Sequence, residues 1–524
     1  MNHGERNEFD FLIIGGGIAG LTAAIAAAER GLDVALLSKE HDILDSNTRW
    51  AQGGIVGPSA ADTPELLEKD IMFAGSHINS LEAVRLLVEE GPELVEGFLA
   101  KKVGVPFTVA EDGKPALTKE AAHSVRRIYY AHDQTGEAIQ TALAKYAAGT
   151  EGIKIITDHT AIDLITNVHN STDPQEKYRN VRVLGAYVLD EKNSSVGAFF
   201  APTVLLAAGG VGNLFLHTSN PVGATGDGIA MAYRIGAQVL NAEYIQFHPT
   251  VLFHRDVKRF LISEALRGEG ARLMNHAGEY FMDRYSPENA DLAPRDEVAR
   301  AIYREMERED MEYVRLDATK ITELPVAERF PAIYKKCLSL GIDIIKEPIP
   351  VVPAAHYFCG GIKVDIDGQT SIAGLLVAGE SSCTGVHGAN RLASVSLLEG
   401  LCWGVRCGKR AATHLKLLPP DLVKSIPNWI EPRVEEAFDP VLVNQDFRAI
   451  QSTMWNYAGI IRSRKRLLRA LADLDYLSHR VEQFYRGAQL SRRIIELRNG
   501  VLTASLIVRS ALANPISKGC HYVE

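Results

Sequence analysis

The stretch that most constrains the fold is "DFLIIGGGIAGLTAAIAAAERGLDVALLSKE", residues 10–40. An apolar run, Phe11 to Ile14, enters a glycine turn, an Ala-rich helix follows towards Gly31, and a second apolar run covers Val34 to Leu37. That strand, turn, helix and strand order is what a dinucleotide site needs. Gly15 permits the tight turn, Gly17 lets the backbone approach a pyrophosphate, and Gly20 lets helix and strand pack closely, so the helix N-terminus faces the phosphates. The acid that usually ends the second strand is missing. The chain reads Leu37-Ser38-Lys39, which leaves either Glu40, or Ser38 with Lys39, to meet a ribose or phosphate.

Two more strand-to-glycine junctions lie downstream. "TVLLAAGGVGNLF" (203–215) is followed by the Gly-rich helix entry "TGDGIAMAYRIGA" (225–237), and "IAGLLVAGE" (372–380) leads to a long helix starting near Ser394. One nucleotide turn would need a single junction, whereas three spread along the chain predict a large domain wrapped around an extended flavin or nicotinamide cofactor.

The 524 residues, 46% hydrophobic and 23% charged, suffice for two or three domains. A net charge of -9 gives no electrostatic support to a nucleic-acid partner. Six cysteines lie scattered without CxxC pairs or histidines at zinc spacing, which argues against a metal or iron–sulfur site and for free thiols. Residues 11–28 are apolar but hold Gly15, Gly16, Gly17 and Gly20 behind an acidic leader, so they predict neither a signal peptide nor a membrane span. A soluble, cytoplasmic protein is expected.

Cations cluster beside Gly and Pro in the middle of the chain: His248 before Pro249, Arg267 and Arg272 around a Gly-rich turn, Arg295 after Pro294, then His356 and Arg391. Each alone is more often structural. Together they suit carboxylates, which match the guanidinium fork. One acid stands out against them. In "LTKEAAHSVRR" (117–127), Glu120 has Lys119, His123, Arg126 and Arg127 as neighbours, and it either pairs with one of them on a solvated helix start or faces a ligand's positive group. The Pro-rich residues 415–440 mark a boundary, helical spacing follows to residue 514, and "RSRKRLLR" (462–469) reads as a solvated helix face or a domain contact.

The ordered stretches "IIGGGIAGL", "AQGGI", "LAAGG", "TGDG", "QFHPT", "EALRGEG", "APRD", "VPAAHY" and "HGANRLAS" resemble the succinate dehydrogenase and fumarate reductase flavoprotein family over nearly the whole chain. The resemblance implies an α/β fold. A Rossmann-like FAD-binding domain (8–241 and 355–418) would carry an inserted α+β capping domain (242–354) and a C-terminal helical domain (426–524). Where the membrane-complex members have a histidine bonded covalently to FAD, this chain has Asn47, so non-covalent FAD is expected. Lys518 stands in place of the arginine of their late "SRG" motif, and the chain stops soon after. Both departures favour the soluble members that oxidise an amino acid over a flavoprotein subunit feeding an iron–sulfur partner.

By resemblance the substrate is L-aspartate, oxidised to iminoaspartate with oxygen or fumarate as acceptor, and the product passes towards a quinolinate-forming enzyme of NAD synthesis. The same resemblance implies that His248, Ser263, Arg267, His356, Arg391 and Ser394 bind the substrate. Glu120 would meet the α-amino group, which succinate lacks, and Arg295 would carry the proton. The implied FAD contacts are Gly15, Gly16, Gly17, Ile18, Ala19, Gly20, Ser38, Lys39, Asn47, Thr48, Arg49, Trp50, Ala51, Gln52, Gly53, Gly54, Asp227, Glu380, Ser396 and Leu397. No metal or membrane partner is implied. Two departures stand close to the site: Val395 for a usual asparagine and Ser263 for a common threonine.

Overall fold

The structure is a computed structural model describing residues 6–111, 113–120, 122–132, 134–257, 259–321, 325–431 and 439–524. A five-stranded parallel sheet forms its centre, in the order Leu375–Val377, Thr203–Leu206, Phe11–Ile14, Val34–Leu37, Ile153–Ile156. Alternate residues enter opposite cores. Leu12, Ile14, Val204 and Leu206 belong to one, and Phe11, Ile13 and Leu205 to the other. Because both faces are covered, these strands are continuously apolar and do not alternate.

The helices Ile18–Ala28 and Ser396–Thr413 cover one face, and their close approach has a sequence cause. Gly400, Gly404 and Gly408 recur every fourth residue, and a Cβ on Gly404 or Gly408 would stand 2.2 Å from Thr22 Oγ1 or 2.4 Å from Ala23 O. A ridge without side chains lets one helix backbone lie on the other. The opposite face is covered by a four-stranded sheet in the order Arg6–Glu8, Ser195–Phe200, Val183–Asp190, His159–Thr166.

The inserted region is built on an antiparallel sheet of Ile245–Leu252, Ile349–Phe358, Val314–Asp317 and Arg272–Met274, against which the helix Arg295–Glu309 packs. The strand Ile349–Phe358 runs unbroken through the expected boundary at 354/355. Three C-terminal helices, Pro440–Ala458, Arg464–Gly487 and Arg492–Ala513, pack together, and the last lies on Asp227–Arg234. Part of the Pro-rich boundary, residues 432–438, lies outside the described residues.

The basic run 462–469 is not a uniform solvated face. Arg462 is wholly buried, with Nη1 donating to Glu243 O at 2.7 Å, while Arg466 pairs with Glu307 and Arg469 with Asp473. Among the described residues no helix is long and apolar enough to cross a membrane, and no group of three or more His, Cys, Asp or Glu could hold a metal ion. All six cysteines are buried and free.

Candidate active site

A cleft of ≈ 1460 Å³, its mouth included, runs along the C-terminal ends of the parallel strands, where open α/β sheets bind their ligands. The glycine turn forms its floor. Gly15 has φ +118°, and a Cβ there would stand 2.1 Å from Ala207 O, so only glycine fits. Thr48 Oγ1 accepts from Ile18 N at 3.0 Å and ties the 47–54 loop to the helix N-terminus. At one end Lys39 Nζ lies 2.5 Å from Asp227 and 3.0 Å from Glu496, and Asn499 donates to Asp227 at 2.9 Å. Burial opposes the Lys39 charge, but Asp227 and Glu496 outweigh it and raise its pKa. Glu40 is held by Arg492, and Ser38, Lys39 and Glu40 all line the cleft, so both alternatives stand at its wall.

Midway along the cleft, Asn47 Nδ2 donates to Glu380 Oε2 at 2.6 Å and Asn47 Oδ1 accepts from Asn220 Nδ2 at 3.0 Å. Burial pushes the Glu380 carboxyl up to about 7, against the hydrogen bonds from Phe358 N and Asn47. Gly15 to Ala19, Ser38, Lys39, Asn47, Thr48, Trp50, Ala51, Asp227, Glu380, Ser396 and Leu397 all line the cleft. The remaining expected FAD contacts lie elsewhere. Gly20 packs behind the turn, where a Cβ would be 1.9 Å from Gly15 O, and Arg49 pairs with Glu137 at 2.8 Å near the surface. Gly53 and Gly54 run towards Glu120 and Ser394: a Cβ on Gly53 would meet Glu120 Oε1 at 2.8 Å, and Gly54 N donates to Ser394 Oγ at 3.2 Å. Val395 is fully buried in the apolar core and does not reach the cleft.

His356 and Arg391 line the cleft, and His248, Arg267 and Arg295 do not but stand close enough for their charges to act on one another. Pro249 interrupts the pairing of Ile245–Leu252, whose register shifts between His248 and Val251, and Thr250 N turns back to His248 Nδ1 at 3.2 Å. Nδ1 therefore accepts, which puts the hydrogen of the neutral ring on Nε2. Burial, then the charges of Arg295, His356, Arg267 and Arg391, drives the His248 pKa well below its ordinary value. The His356 ring stands 5.3 Å from it, on the adjacent strand. Arg295 opens its helix and donates from Nε to Glu264 Oε2 at 2.6 Å. Arg267 is buried behind, with Nη1 on Asp291 O at 2.5 Å, and Ser263 caps the short helix carrying it. Arg272 does not join them and pairs outward with Asp283 and Asp291.

Glu120 follows a short strand, Leu117–Thr118, and not a helix start. Three of its cationic sequence neighbours are otherwise engaged: fully buried Arg127 pairs with Asp62 and Asp70, His123 Nε2 donates to Ala393 O at 3.0 Å, and Lys119 reaches Ser124 O. Among the described residues none forms an ion pair with Glu120. Its Oε2 accepts from Ser394 Oγ at 2.6 Å, and the charges acting on it are Arg295, Glu264 and Arg391. Burial raises its pKa, while Arg295 and the Ser394 hydrogen bond lower it, and burial prevails.

His123 gives the Glu120 loop a pH dependence. Burial holds its folded pKa at about 4 against an ordinary 6.5, so between these values the unfolded chain binds more protons. Stability contributed here is full above pH 6.5 and is lost as pH falls towards 4, at most about 3 kcal/mol. Replacing His123 with Gln should flatten that part of a stability-against-pH curve measured by urea unfolding. An unchanged curve would contradict the assignment.

The comparisons follow this geometry. Residues 10–397 match a family model described as an FAD binding domain, and 447–524 match one described as the fumarate reductase flavoprotein C-terminus. A mutant E. coli quinol fumarate reductase superposes with a TM-score of 0.88 at 26% identity, covering 99% of this chain and 92% of that one. An L-aspartate oxidase from Acinetobacter baylyi is 44% identical over 99% of this chain and 94% of its own length. The chain belongs to the L-aspartate oxidase family. Its Pseudomonas aeruginosa member is 43% identical over 99% of this chain and 95% of its own length.

Membership in the L-aspartate oxidase family makes the protein an FAD-dependent oxidoreductase, and the cleft fits that cofactor. The turn admits only glycine at Gly15, Gly17 precedes a helix whose N-terminus opens on the cleft, and Asn220, which lines it, has a buried Oδ1 acceptor without a partner in the protein. Sequence reasoning quoted "EALRGEG" but gave no role to Glu264, the partner of Arg295. Acid beside a motif arginine was the available signal. Asn499 and Glu496, distant helix residues at the Lys39 end, had none.

Proposed function

We propose that this protein oxidises L-aspartate to iminoaspartate, with oxygen or fumarate as final acceptor, as the first step of NAD synthesis through quinolinate. One observation carries the reading: a carboxylate, Glu120, is held by Ser394 within a pocket of cations rather than by the cations next to it in sequence. A dicarboxylate alone would be repelled by it, whereas an ammonium group would be complementary. His248, Ser263, His356, Arg391 and Ser394 are proposed to hold the two carboxylates, with Arg267 acting through its charge from behind.

Arg295, fixed by Glu264, is proposed as the catalytic residue. Its positive charge disfavours the protonated amine, and the uncharged amine is the form from which two electrons leave more readily. Bound FAD supplies the two-electron acceptance, and the chain supplies orientation and charge placement. An amide at Asn47 offers no nucleophile for a covalent link, which supports dissociable FAD. The division into 8–241 with 355–418, 242–354 and 426–524, a cytoplasmic location, and transfer of the product to a quinolinate-forming enzyme are proposed with it.

The test mixes FAD-loaded protein anaerobically with L-aspartate and, separately, with succinate. Flavin absorbance should bleach with L-aspartate only, and acid precipitation should leave a yellow supernatant. Bleaching by succinate alone would return the protein to the dicarboxylate reductases.

A further inference from the structure

We propose that Tyr357 is a positioning residue for Arg391, its ring face stabilising a buried guanidinium that no carboxylate of the protein holds, so that the charge stays available to substrate. The proposal rests on the reading of Arg391 as a carboxylate anchor. The Arg391 Cζ lies 4.7 Å from the Tyr357 ring centroid, and both residues are buried. Buried Arg127 is neutralised directly by Asp62 and Asp70, and partly buried Arg295 by Glu264, whereas buried Arg267 and Arg462 rest on the backbone carbonyls of Asp291 and Glu243. Among the described residues Arg391 forms no ion pair. Its Nη1 donates to Ser396 Oγ at 3.2 Å and to Leu392 O at 3.4 Å, and its Nε has no partner.

A carboxylate in that place would compete with the substrate for the same donors. An aromatic face stabilises the cation through its quadrupole and leaves the in-plane N–H groups unused. The ring is also made electron-rich from behind. Tyr357 Oη donates to Glu399 Oε2 at 2.9 Å, and Glu399 is fixed by Thr384 Oγ1 at 2.5 Å and His387 Nε2 at 2.9 Å. Burial, followed by Glu399, holds the phenol pKa well above its ordinary value, so Tyr357 remains the donor of that pair.

The test titrates FAD-loaded protein with fumarate, read by flavin absorbance, and measures KM and kcat for L-aspartate. Tyr357→Leu should raise the fumarate Kd and the aspartate KM about 10- to 30-fold with kcat changed less than about twofold. Tyr357→Phe should cost about threefold, since ring and shape survive without the Glu399 bond. Because Tyr357→Leu removes a buried ring and can prevent folding, the deciding series places phenylalanines with successively more ring fluorines at position 357. Kd should rise stepwise as the quadrupole weakens at constant shape. A flat series, or a loss confined to kcat, overturns the proposal. Arg391→Ala run alongside separates the two readings. If it weakens fumarate while the fluorines do not, the ring inference fails and the anchor reading stands. If it leaves fumarate binding unchanged, both fall.

Discussion

Arg295→Leu should lower kcat with L-aspartate by about 10²–10³-fold while the protein keeps its FAD, because the variant removes the proposed catalytic guanidinium, which Glu264 holds in place. It also leaves Glu264 and Glu120 as two buried acids without the cation between them, which should push both towards the protonated state. Arg295→Lys should restore little, since an ammonium cannot match the geometry that Glu264 fixes at Nε. Burial works against the Arg295 charge, but Glu264 and Glu120 outweigh it and raise its pKa, so no limb of the pH–rate profile in the ordinary range should belong to it. Steady-state kcat and the flavin spectrum check this together. Turnover within tenfold of the parent would remove Arg295 from the chemistry.

Glu120→Gln should invert substrate preference instead of abolishing activity. Truncating one partner of a buried charge pair costs about 2–5 kcal/mol, so kcat/KM for L-aspartate should fall at least about 30-fold. Succinate and fumarate, which lack the ammonium, should bind more tightly because a like charge has left the pocket. Ser394→Ala should fall between parent and Glu120→Gln, since it frees the carboxylate without neutralising it. As pH falls through the raised Glu120 pKa, the parent should drift towards the variant's preference. Equal losses for both ligands would mean that Glu120 only holds its loop in place.

The flavin turn was legible because its chemistry is local: Gly15, Gly17 and Gly20 answer steric demands within one strand-to-helix junction. The junctions at 203–210 and 375–380 were legible for the same reason, as strands that end in glycine. The pocket was legible only in composition. Arg267 and Arg272 stand at the two ends of one turn, yet one is buried behind the site and the other pairs outward, a difference decided by Asp291 and Asp283 from elsewhere in the cap. The basic run 462–469 left a solvated face and a domain contact both open, and Arg462 takes the second, its guanidinium finding carbonyl and histidine partners on distant segments. Glu120 was resolved by seeing which neighbours were already paired. The Gly400, Gly404 and Gly408 ridge was in plain view and needed only the helical period to be applied to glycine.

The parallel sheet described above joins its edge strand, Leu375–Val377, to Thr203–Leu206, and the Lys39 end of the cleft is closed by Glu496 and Asn499. Most of the chain must therefore leave the ribosome before the cofactor has a complete place to bind. Until then the face of the sheet that Ser396–Thr413 completes waits for cover that arrives late in synthesis, a period in which such surfaces invite aggregation. Biogenesis of this protein should thus be limited by chain completion and chaperone protection, and supplying flavin should rescue only molecules whose synthesis is nearly finished.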